Sequence, residues 1–163
     1  MALHHDLLDQ ASHLAMREPR RPRQASLRRA VSSAYYALFH LLADQGARRL
    51  APAQPALLRR QVQRGFAHRD MQDVCRQLAT GSAGKGTAPL LQPPLEPELR
   101  QVARAFVELQ DARHDAGYNL SASFDRVDVL QKVRLVREAF GAWRQVRSSP
   151  NAAVFLAAML LQA

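Results

Sequence analysis

Arg113, His114, Asp115 and Tyr118 fall within one short stretch, Leu109-Gln-Asp-Ala-Arg-His-Asp-Ala-Gly-Tyr-Asn119. Together they offer a permanent cation, a group that titrates near neutrality, a carboxylate and a phenol. Such a set suits a phosphodiester. An arginine fork holds two phosphate oxygens at once and can steady a charged phosphorane. His114 would transfer protons, Asp115 would orient it, and Tyr118 would position the substrate or stack on a base. A plainer reading has Arg113 tying its helix end to carbonyls or Asp residues, with the other three facing a loop.

The arginine is conspicuous because of the helix that carries it. Leu99, Val102, Phe106 and Leu109 recur at steps of three and four, the spacing of one buried helical face, and the next position on that seam is Arg113. A charge placed there must find acceptors. The spacing predicts a helix from about Glu98 to Ala116, with Pro97 at its start and Gly117 as its stop. An earlier helix, Leu27 to about Asp44, is predicted with Ser26 as its cap and Gly46 as its end. Leu27, Val31, Ala34, Leu38 and Leu41 form its core stripe. Beside them Arg29, Ser33, Tyr36 and His40 align at four-three-four spacing, either as a half-exposed polar flank or as a supporting flank for the site.

The remaining chain reads as further helices. Residues 3–17 form the first, stopped by Pro19, and Arg17-Glu-Pro-Arg-Arg-Pro-Arg23 is a stiff basic connector. Pro55 is placed for the first turn of a helix continuing through Leu57, Leu58, Val62 and Phe66. A second piece, Met71 to Leu78, follows a break at Gly65. Residues 80–97 are expected to be a flexible loop. Within it Gly84-Lys85-Gly86-Thr87 imitates a phosphate loop but lacks the earlier glycine, the hydroxyl after Lys85 and a preceding strand. Asp125 caps the next helix, whose stripe is Val129, Val133, Val136, Phe140 and Trp143. Ser149-Pro150 restarts a terminal helix, 150–163, apolar almost all round, which must be covered by the chain itself or by a second subunit.

Composition narrows the class. The chain has 163 residues, 47% of them apolar, and seven glycines, which fits one all-α domain over 1–163. Its 23 Lys and Arg against 14 Asp and Glu leave +9. That excess favours a polyanion such as RNA or DNA, although an arginine-rich genome composition gives the same number. The single cysteine, Cys75, excludes an internal disulfide and a cysteine zinc site. No metal or other cofactor is expected. The first residues are no signal peptide and the apolar run 152–161 is too short to span a bilayer, so a cytoplasmic protein without membrane contact is expected.

Leu27-Arg-Arg-Ala-Val-Ser-Ser-Ala-Tyr-Tyr-Ala-Leu-Phe-His40 and the Leu109–Asn119 stretch together resemble the HEPN family (higher eukaryotes and prokaryotes nucleotide-binding). The likeness covers about residues 3–147. It implies an antiparallel helical bundle, here with a short extra C-terminal helix, that forms a homodimer. Many members are metal-independent endoribonucleases of toxin–antitoxin and defence systems, and the resemblance places catalysis on Arg113 and His114. Position 118 is tyrosine where the active nucleases carry histidine. The resemblance therefore also admits a non-catalytic subunit that binds a nucleotide, or a nucleotidyltransferase or antitoxin partner.

Overall fold

Apolar residues at three- and four-residue spacing become helices wherever no proline interrupts them. The computed structural model describes residues 2–53 and 55–161. Among these it contains α1 (Leu3–Ala15), α2 (Gln24–Leu50), α3 (Ala56–Arg64), α4 (His68–Thr80), α5 (Pro97–Tyr118), α6 (Arg126–Val146) and α7 (Pro150–Leu161), and no strand. The all-α expectation is met. Between Thr80, where α4 ends, and Pro97, where α5 begins, there is only the single 3₁₀ turn Ala88–Leu90. Of the terminal helix expected over 150–163, residues 162–163 lie outside the described residues.

Several ends follow local chemistry. The Asp128 N–H donates to Asp125 Oδ1 at 2.8 Å, capping α6, and the Ala152 N–H donates to Ser149 Oγ at 3.1 Å, capping α7. Gly81, at φ 77°, closes α4 while the Ser82 N–H reaches back to the Gln77 carbonyl. Pro55 is the cap of α3 and not its first residue.

Helix α1 stops at Ala15, two residues short of expectation, and α4 starts three residues early at His68; three ends assigned to a serine or a glycine also differ. Helix α2 starts before Ser26, whose buried hydroxyl donates to Glu18 Oε1 at 2.7 Å instead of capping. Helix α2 also runs through Gly46 to Leu50. Gly46 serves packing there, since a methyl group on it would collide with the Phe66 ring, two of whose other carbons lie at 2.9 and 3.0 Å. Helix α5 likewise passes Gly117 and ends at Tyr118. What finishes α5 is Arg28. Its guanidinium donates to the carbonyls of Asp115, Ala116, Asn119 and Ala122 and lies over the Phe124 ring. Two other arginines do the same at other helix ends. Arg126 holds the carbonyls of Ala15, Glu18 and Pro19 after α1, and Arg49 those of Arg147, Ser148 and Ser149 after α6. Cations at these ends also match the helix dipole.

Packing divides the chain into two compact units, Met1–His40 with Ala105–Phe140, and Leu41–Arg104 with Gly141–Ala163. In the first, Ala15, Leu27, Ala30, Val31, Ala112, Ala116 and Val129 form a buried cluster, edged by Leu14, Phe124 and Leu130. In the second, α4 packs on α7 and buries Met71, Val74, Cys75 and Leu78, with Phe155, Leu156 and Met159 of α7 also buried. Buried Asn151 accepts the Gln92 N–H and donates to the Gln92 carbonyl, both at 2.7 Å, so it pins the 80–97 loop. All five residues of the α6 stripe are buried, as expected. Helix α3 is not as expected: of its stripe only Phe66 is buried, and Leu57 is 74% exposed. Nine residues with three arginines bury too little to seat the leucines.

Candidate functional site

The site residues belong to the first unit. The seam of α5 buries Leu109, Ala112 and Ala116, and Arg113 beside them is half-buried. Its Nη2 donates to the Tyr36 hydroxyl at 2.9 Å. Its Cζ lies 5.3 Å from the Tyr36 ring centre and 5.5 Å from that of fully buried Tyr35. Tyr35 in turn packs on Phe106, with 5.5 Å between ring centres. The guanidinium is thus held against an aromatic wall built by α2. Among the described residues, no carboxylate forms an ion pair with it. One N–H bond is spent and most of its donors remain for an anion.

His40 lies one turn beyond Tyr36 and stacks on its ring, 6.2 Å between centres and 30° between planes. Phe39 meets the imidazole edge-on at 5.3 Å. Burial lowers the pKa of His40 below the ordinary histidine value, so the ring is neutral near neutral pH and able to accept a proton. Along the Arg29–His40 line, Tyr36 bonds Arg113 and His40 stacks on Tyr36, whereas Ser33 is buried and donates to Gln10 Oε1 of α1 at 3.1 Å and Arg29 is exposed.

His114, Asp115 and Tyr118 stand apart from this cluster. Consecutive residues of an α-helix point about 100° apart, so His114 does not share the face of Arg113. It pairs with Tyr118 one turn on, ring centres 5.2 Å apart, and both are exposed. Asp115 is exposed, and its carbonyl accepts a bond from Arg28 Nη1 at 3.3 Å. The stretch that reads as one site is two, an arginine facing α2 and a His–Tyr pair facing solvent. Sequence reading misses Arg28, because nothing in its spacing distinguishes it from Arg29.

Among the described residues no group of three or more His, Cys, Asp or Glu is placed to hold a metal ion, and no helix is long and apolar enough to cross a membrane. Charge is unequal between the units. The second carries twelve Arg and Lys against five Asp and Glu, a net +7, and the first eleven against nine, a net +2. The chain matches no protein family, no curated protein and no solved structure at a significant level.

Proposed function

We propose that this protein acts on RNA, with Arg113 holding a backbone phosphate, as the likeness of its two motifs to HEPN proteins implies. The observation that carries this reading is the half-buried Arg113 guanidinium, held by a phenol and two rings where the structural arginines Arg28, Arg49 and Arg126 meet backbone carbonyls. Its fork takes two phosphate oxygens, and the bond to Tyr36 fixes the fork's plane. In the nuclease form of the reading, neutral His40 takes the ribose 2′-hydroxyl proton. A second copy of the chain, joined in a homodimer, brings the second arginine and a proton donor for the leaving oxygen.

A non-catalytic subunit that binds a nucleotide or a nucleotidyltransferase is the second reading. The exposure of His114 and Tyr118, away from Arg113, favours it.

Incubating the purified protein with RNA in EDTA, and measuring RNA binding by fluorescence anisotropy, separates the two. The nuclease form expects cleavage that falls at least a hundredfold in Arg113→Ala and in His40→Gln. Binding without cleavage, weakened about tenfold or more by Arg113→Ala, supports a phosphate contact without catalysis. The absence of both RNA cleavage and RNA binding that depend on Arg113 overturns the RNA reading.

A further inference from the structure

The second unit holds a cleft of about 730 Å³ that the RNA reading does not use. Its apolar walls come from Leu50, Val74, Leu90, Val154, Ala157 and Leu161. This volume suits a drug-sized molecule, and the mixture of apolar wall and few polar groups is that of a small-molecule site. Helix α7 is apolar almost all round, and this is where its uncovered side faces. Phe155, Leu156 and Met159 are buried, whereas Val154 and Ala157 are half-buried along the cleft and Leu161 is 72% exposed.

The cleft has a polar end. Arg76 and Gln77 of α4 line it together with Gly84, Gly86 and Thr87, the glycine loop whose residues merely imitate a phosphate loop. The Gly84 N–H donates to Gln77 Oε1 at 3.1 Å, which fixes the loop beside this end of α4. Lys85 is exposed between the two glycines. Asp73 also lines the cleft, one turn back along α4, and repels an anion on its side. The surrounding unit carries the net +7.

We propose that this cleft binds a single-chain amphiphile with an anionic head, a fatty acid being the simplest case. The tail lies along α7 against Val74 and Leu90, and the head meets Arg76 at the glycine loop. This proposal is independent of the RNA reading.

The test is calorimetric titration of the intact protein with dodecanoate, dodecanol and dodecyltrimethylammonium. Dodecanoate is expected to bind saturably and about tenfold or more tighter than either of the others. Arg76→Gln should remove that preference, leaving dodecanoate and dodecanol within about twofold. Ala157→Trp, at a half-buried position, should fill the cleft and abolish binding while thermal unfolding followed by circular dichroism remains cooperative. Should that variant fail to fold, Leu90→Glu at the exposed lip decides in its place, with a loss of about tenfold expected. The proposal is overturned if dodecanoate does not saturate, if the cationic amphiphile binds as tightly, or if the folded cleft variant binds as well as the parent.

Discussion

Arg113 and His40 each owe their character to the same helix, α2, by different routes. For the arginine it is contact with two tyrosine rings and one hydroxyl, and for the histidine it is loss of water. The second effect gives a pH dependence of stability with a definite sign. Between the lowered pKa of folded His40 and its ordinary value near 6.5, the unfolded chain binds a proton that the folded chain refuses. Its contribution to stability is therefore complete above about pH 6.5, falls as pH drops through that window, and levels below the folded value. Urea midpoints measured from about pH 7.5 to 5 should fall less steeply in His40→Gln than in the parent. An equal slope would mean that His40 titrates alike in both states. Arg113 is legible as a residue of interest because it sits on an apolar seam that its charge does not suit, and Tyr36 and His40 because they align as a polar flank beside a core stripe. That His114 and Tyr118 turn away is not legible. A motif written along the chain hides the rotation per residue, and that rotation decides which neighbours share a face.

At the level of elements, most helix cores are readable and helix ends only where a local cap sets them. The α6 stripe, the Asp125 cap and the restart at Ser149-Pro150 follow from spacing and from short-range side-chain bonds. Gly46 and Gly117 read as helix stops, yet α2 and α5 run through both. A glycine stops a helix only where the chain must turn, and the end of α5 is settled from a distance, by Arg28 on carbonyls far along the sequence, as that of α6 is by Arg49. The two roles of a helical glycine separate on substitution. Gly46→Ala forces a methyl group into the Phe66 ring and should destabilise by about 1–3 kcal/mol, against the usual helix preference for alanine. Gly141→Ala, inside α6 with nothing within 4 Å of the new carbon, should instead stabilise by roughly 0.5–1 kcal/mol. Urea unfolding reads both, and a stable Gly46→Ala would deny the packing role.

For the whole molecule, the +9 of the sequence is not a property of the proposed RNA site. Most of it lies in the second unit, and Arg28, Arg49 and Arg126 direct theirs at backbone carbonyls. General attraction to a polyanion and a specific phosphate contact should thus be separable. The logarithm of RNA affinity plotted against that of salt concentration should lose a slope of about one in Arg113→Ala. In the triple variant Arg59→Gln, Arg60→Gln and Arg64→Gln, which strips the exposed α3, the loss should be about two, with the remaining dependence on Arg113 intact. If adding Arg113→Ala to that triple variant changed nothing further, the phosphate contact would belong to α3 instead.

The Asn151 clasp and the seating of α7 on α4 also set a timetable for biosynthesis. A chain leaving the ribosome has delivered every residue of the first unit once Phe140 emerges, but the second cannot close until 150–161 follow. That interval separates the closing of the two units. During it the α4 side chains Met71, Val74 and Leu78 lack their α7 cover, and the 80–97 loop lacks its pin. The nascent protein therefore passes through a stage in which one unit is complete and the other still offers a bare apolar helix to chaperones or proteases.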